Sequence, residues 1–157
     1  MNGLATVAPA AAGAALIDPI HDLATLMLCG LIWTIQLVTY PGFANVGAAD
    51  GVGFADYHRA YTGRIARLVV PLMVLELVTA VERVLGRVEP SPQAVVGLAL
   101  VVLIWLSTAL LQVPLHSRLE RGFDASAARR LVQTNWIRTV AWSLRAALVM
   151  AGGLAVS

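Results

Sequence analysis

An all-α, polytopic membrane protein, folded as an antiparallel bundle of four transmembrane helices, is predicted by three features of this 157-residue sequence. Hydrophobic residues make up 59% of the chain and charged residues only 13%, about half the charged share of an ordinary soluble domain. Four apolar stretches of roughly 20 residues follow one another, each long enough to cross hydrocarbon as a helix that bonds its own backbone. Each stretch also carries polar residues along one stripe, which a span lying only against lipid would not need.

Residues 1–18 are rich in Ala, Gly and Pro and read as a flexible N-terminal tail, since they lack the basic start of a secretory signal. Residues 19–157 form one four-helix transmembrane domain. The first helix is expected over about residues 19–40, with Pro19 in its first turn and Pro41-Gly42 as its stop. Residues 43–56 are a Gly/Ala/Asp-rich loop. The second helix covers about residues 57–83 and is kinked by Pro71. Glu89-Pro90-Ser91-Pro92 is a tight turn, and the third helix takes about residues 94–113, bent or ended by Pro114. A charged connector over residues 117–130 leads into the fourth helix, about residues 128–152.

All eleven basic residues are Arg, and their distribution sets an orientation. Arg59, Arg64, Arg67, Arg118, Arg121, Arg129 and Arg130 lie in or beside the first and third connectors, and only Arg83 and Arg87 lie in or beside the second. The positive-inside rule then puts both termini outside, in the periplasm, and the Arg-rich connectors in the cytoplasm of a bacterial inner membrane. Membrane lipid is the partner this distribution implies; nucleic acid is not. The lone cysteine, Cys29, excludes an intramolecular disulfide and a cysteine metal cluster, and reads as a small buried hydrophobe.

Residues three, four and seven apart share a helix face. Asp22, Thr25, Cys29, Gln36 and Tyr40 align on the first helix; His58, Tyr61, Ile65, Leu72 and Glu76 on the second; Trp105, Thr108, Gln112 and His116 on the third; Asn135, Arg138, Trp142 and Arg145 on the fourth. Facing inward, they divide by depth. Tyr40, His58, Gln112, His116, Asn135 and Arg138 gather toward the cytoplasmic end. Glu76, about 27 Å along its helix from His58, lies toward the outer face with Arg145, Asp22 and His21. Glu76 and Arg145 are expected to form a structural ion pair, with Asp22 as a competing acid.

Two histidines near one membrane face can ligate a metal such as copper, or supply both axial ligands of a haem. They can equally act as acid and base, without a cofactor, on a lipophilic small molecule entering from the bilayer. Arg138 and Asn135 are placed to hold an anionic or enolate oxygen. The structural alternative for Thr25, Thr108 and Gln36 is hydrogen bonding between helices, and for each histidine a solvated or capping role.

Gln112-Val113-Pro114-Leu115-His116 is similar to the Asn-x-Pro-x-Asn signature of small four-helix membrane proteins related to anthrone oxygenase. Asn135-Trp136-Ile137-Arg138-Thr139 resembles that family's Asn-x-x-Arg-Thr stretch, and this chain departs from the family at both signature asparagines, here Gln112 and His116. Tyr40-Pro41-Gly42-Phe43 and Phe54-Ala55-Asp56-Tyr57-His58 look like marks of a sister group. The resemblance implies a membrane-embedded oxygenase acting on a phenolic polyketide and points to Gln112, His116, Asn135 and Arg138. Three functions therefore stand at this level. They are a membrane oxidoreductase or oxygenase, a non-catalytic subunit of a homo-oligomer or larger membrane complex, and a dimeric proton-coupled exporter built around Glu76.

Overall fold

The structure, a computed structural model, describes residues 7–154, with side chains over residues 16–152. It is 89% helical, with no strand among the described residues. The first rod joins α1 (Val7–Thr34), a π-helical turn (Ile35–Thr39) and α2 (Tyr40–Ala49), and the second is α3 (Phe54–Leu85). The third joins α4 (Pro92–Ser107), a π-helical turn (Thr108–Gln112) and α5 (Val113–Leu119), and the fourth is α6 (Ala125–Leu154). Both α1 and α4 pack on α3 and on α6, so the rods stand in a square with antiparallel neighbours. Two helical stretches, Leu16–Ala49 and Pro92–Leu119, are long and apolar enough to cross a membrane.

Each π-helical turn is explained by a proline. Pro41 and Pro114 have no N–H to give, and their rings crowd the carbonyl four residues back. The helix widens instead of stopping. Tyr40 N–H bonds the Ile35 carbonyl, and Val113 N–H bonds the Thr108 carbonyl, each five residues back and immediately before the proline.

Several predicted boundaries are corrected by this. Pro41-Gly42 does not stop the first helix, and the loop expected over residues 43–56 is helical as far as Ala49 and again from Phe54. Pro114 does not end the third, which runs on to Leu119. The tail expected over residues 1–18 is helical from Val7, and Pro19 lies inside the helix; residues 1–6 fall outside the described residues. The connectors shrink accordingly. Gly122, at φ +147°, makes the turn before α6 that a side chain would strain. Asp124 then caps α6, its Oδ1 accepting from the Ser126 and Ala127 N–H groups at 2.9 Å each. Those backbone bonds, Ala127 first, and the Arg118 guanidinium hold the Asp124 carboxyl down to about 2.

Apolar and polar residues are distributed inside out. Leu28, Ile32, Ile104, Leu131 and Trp142 fill the centre, yet Glu76, Gln112, Asn135, Arg138, Thr139 and Arg145 are buried beside them. Leu26, Leu37, Val74, Leu106, Leu110, Val140 and Leu144 lie exposed on the flanks. Buried polar residues, together with exposed Arg59, Arg64 and Arg67 on α3 and Arg129 and Arg130 on α6, make these rods less apolar in composition than α4. Leu68, Val74 and Val78 of α3 and Ile137, Val140 and Leu144 of α6 keep the rest of their outer faces apolar.

Candidate active site

The outer end holds a closed ion pair. Arg145 Nε donates to Glu76 Oε1 at 2.9 Å, both side chains being buried. Thr25 Oγ1 donates to the same oxygen at 3.0 Å, and the Trp142 indole N–H reaches both carboxylate oxygens at 3.1 and 3.2 Å. Arg145 also bonds the Gly97 carbonyl and donates to His21 Nε2 at 3.1 Å. His21 Nδ1–H therefore donates to Thr79 Oγ1 at 2.8 Å, the tautomer being set by the arginine on its other nitrogen. A cavity of about 30 Å³ beside Arg145 has room for one water. Asp22, expected as a competing acid, does not join this cluster: it pairs with Arg83 at 3.2 Å, partly exposed.

The inner end holds a chain of three titratable groups. His58 Nε2 lies 3.0 Å from His116 Nδ1, and His116 Nε2 lies 2.9 Å from the Tyr40 hydroxyl. Each contact takes one proton and can hold it on either side, so protons can shift along the chain between Tyr40 and His58. His58 is fully buried, with Phe43 edge-on at 4.7 Å between ring centroids and Phe54 stacked at 5.5 Å. Phe123 packs on Phe54 and needs the bare Cα of Gly47, where any side chain would collide with it. The aromatic box keeps water from His58, whose Nδ1 has no protein partner.

Between the two ends, Gln36 and α6 interlock. Asn135 Nδ2 donates to Gln36 Oε1 at 2.8 Å, Thr139 Oγ1 donates to the same oxygen at 3.3 Å, and Gln36 Nε2 reaches the Val132 carbonyl at 3.2 Å. Asn135 Oδ1 in turn accepts from Arg138 Nη1 at 3.3 Å, and the Arg138 guanidinium carbon lies 5.2 Å above the Trp142 ring. Arg138 has no carboxylate partner among the described residues.

A cavity of about 260 Å³ lies between α3 and the third rod. Ile65, Val69, Val70, Met73 and Val113 form apolar walls; Tyr40, Gln112, His116 and Arg138 form a polar floor. Ala66, Val70, Val113 and Ser117 are exposed, so the cavity opens on the flank of the bundle. Both π-helical turns contribute to it, through Ile35 and through Thr108 and Gln112. Of the residues proposed from sequence, Gln112, His116 and Arg138 line this space, His58 stands behind His116, and Asn135 stands behind Arg138. Sequence reasoning misses Glu120 and Thr62 at the rim, joined at 3.2 Å, and the Phe43–Phe54–Phe123 box. The adjacent Phe residues of Tyr40-Pro41-Gly42-Phe43 and Phe54-Ala55-Asp56-Tyr57-His58 are the available signal.

The histidine geometry tests the cofactor readings. Two axial nitrogens across an iron lie about 4 Å apart with the porphyrin between them, twice an ordinary metal–nitrogen bond. Here the nitrogens meet at 3.0 Å and the rings stack at 27°, leaving no slot for a macrocycle, so haem held by His58 and His116 does not fit. No cluster of three His, Cys, Asp or Glu residues that could hold a metal ion converges among the described residues. No family model matches this sequence, and neither a curated protein nor a solved structure does.

Proposed function

We propose that all four rods cross the membrane and that the flank cavity is a cofactor-free active site for a lipophilic small molecule, with the chemistry of a small oxidoreductase or oxygenase. The inside-out distribution supports the first part. Lipid-length rods with exposed Leu and Val flanks and buried Asn, Gln, Arg and Glu suit hydrocarbon, where intramembrane polar groups face inward. The observation that carries the second part is the His58–His116–Tyr40 chain ending on a cavity that also holds a buried guanidinium. That is an acid–base relay beside an oxyanion stabiliser.

His116, alone or through Tyr40, takes a proton from a substrate carbon made acidic by a neighbouring carbonyl or phenol, and Arg138 holds the developing oxygen charge. His58 accepts the displaced proton. Asn135 orients Arg138 from behind and is a positioning residue, and Gln112 contacts the substrate from the same polar floor. As in the oxygenase family the sequence resembles, the carbanion then takes up dioxygen. Loss of water leaves a ketone, so that one methylene group and one dioxygen molecule give one carbonyl group and one water.

Oxygen uptake by protein in nanodiscs, with anthrone as substrate, tests this. Uptake should fall by about a hundredfold or more in His116→Ala, a general acid–base contribution, while far-ultraviolet circular dichroism stays unchanged. A folded His116→Ala protein that turns over at the wild-type rate would remove the relay from catalysis. The purified protein is expected to be colourless and metal-free. A haem absorption band or a stoichiometric metal would overturn the cofactor-free reading.

A further inference from the structure

Two buried atoms on the cavity lining have no protein partner: the Nε–H donor of Arg138 and the Oε1 acceptor of Gln112. The residues themselves are 5% and 1% exposed, so water at the mouth does not reach them freely. A buried polar group without a partner is costly, and a buried charge without a counter-charge more so. The contrast on the same helix is informative. Arg145 has its carboxylate in Glu76 and bonds with Gly97, Thr25 and His21, whereas the Arg138 guanidinium meets Asn135, the face of Trp142 and the Tyr40 hydroxyl, none of them a carboxylate. Glu120, the one carboxylate on the lining, is bonded to Thr62 at the rim and makes no ion pair with Arg138. Arg138 is a cation with no counter-charge bonded to it among the described residues.

From this we infer that the cavity binds its ligand as an anion: a lipophilic weak acid whose oxyanion sits on Arg138 and whose adjacent hydroxyl, where it has one, donates to Gln112. The inference rests on the cavity being the ligand site and adds the charge of what it holds, whether the acid ionises before entry or gives its proton to the His116 relay. The apolar walls take the body of the ligand, and the opening between α3 and the third rod lets a chain or ring edge trail out along the bundle flank. Rim Glu120 disfavours a second negative charge, so the ligand carries one. Carboxylates and enolates both meet this description, and the two are separable by experiment.

Binding is read by tryptophan fluorescence and thermal shift in nanodiscs of neutral lipid, using two matched pairs. Decanoate is compared with decanol, and 2-hydroxy-1,4-naphthoquinone, ionised at neutral pH, with 1,4-naphthoquinone. At least one anion should bind about thirtyfold more tightly than its neutral mate, the effect of completing a buried charge pair. Arg138→Gln should abolish that preference while leaving the neutral mates unchanged, and Ala66→Trp at the mouth should weaken every probe alike. Which anion wins assigns the source: decanoate a fatty acid, the naphthoquinone an enolate or phenolate. Equal binding of anion and neutral mate, or an anion preference that survives Arg138→Gln, overturns the inference and leaves the cavity reading intact. If Arg138→Gln does not fold, Gln112→Leu takes its place, with 2-hydroxydecanoate set against decanoate: it should weaken the hydroxy acid, whose hydroxyl keeps its proton beside the carboxylate, and leave decanoate unchanged, and no effect on either overturns the inference. Binding of any probe that ignores Ala66→Trp, or no binding by any of the four, removes the cavity itself as the site.

Discussion

Arg138 and Arg145 lie two helical turns apart on one stripe of α6, and spacing alone makes them equivalent. Their partners make them different. Arg145 is locked into a carboxylate, a hydroxyl, an imidazole and a carbonyl, all from other rods, and its role is to fix the outer end of the bundle. Removing one member strands the other as a buried charge, so Arg145→Met should destabilise the protein by about 3–5 kcal/mol. The double variant Glu76→Leu with Arg145→Met should recover most of that loss, because two apolar residues replace a desolvated pair. Thermal unfolding in detergent measures both; a double variant as unstable as the single would show that the hydrogen bonds matter more than the charge. Spacing did bring Gln112, His116, Asn135 and Arg138 to the interior, since inward polar residues in an apolar helix have few other places to go. It did not give the order in which they touch. The Tyr40–His116 bond and the retreat of Asn135 behind Arg138 depend on helix rotation and rotamers, which are fixed only by packing between rods. Asp22 shows the same limit: its stripe position pointed inward, and Arg83 held it at the surface.

The rods themselves were legible because apolar runs of membrane length leave few alternatives to helix. Their ends were not. Pro41-Gly42 and Pro114 are breakers in an isolated segment, yet each is absorbed by one widened turn, at the cost of a local distortion that neighbouring rods stabilise. The distortions sit beside the cavity, so the same prolines that obscure the boundaries also help to shape the site. The start of α6 depends on a more ordinary device. Asp124 accepts two backbone N–H groups there, and its carboxyl is held at about 2 against the usual 3.8. A native value below the unfolded one stabilises the fold fully above the ordinary carboxylate range, and the contribution fades as pH falls toward 2. Wild-type protein should therefore lose thermal stability between about pH 4 and pH 2 by more than Asp124→Asn does, since the amide keeps an acceptor but has no proton to gain. Parallel acid profiles for the two proteins would remove Asp124 from the acid response.

At the scale of the whole molecule, the proposed four-span arrangement accounts together for the apolar flanks, the buried polar stripes and the clustering of Arg at one end. Arg59, Arg64, Arg67, Arg118, Arg121, Arg129 and Arg130 all lie in or near the two connectors at the His58 end, and Arg83 and Arg87 lie at the Glu76 end, paired with Asp18 and Asp22. The proposed four crossings would place those ends on opposite sides of the membrane, with the candidate active site nearer the cytoplasm. Two crossings, by the first and third rods alone, would leave α3 and α6 with exposed Val and Leu faces in water. Four crossings also fit the ring of contacts, in which every rod touches both neighbours. Replacing Cys29 by alanine and adding one cysteine at a time makes this a direct measurement. A membrane-impermeant maleimide should label Glu89→Cys in intact cells and should label Val52→Cys only after the membrane is opened, both positions being exposed. Labelling of both from the same side would remove the odd number of crossings that α3 must supply between them, and with it the four-span bundle. Reversed sidedness would keep the bundle and move the cavity to the outer leaflet, where its anionic ligand would have to arrive from outside the cell.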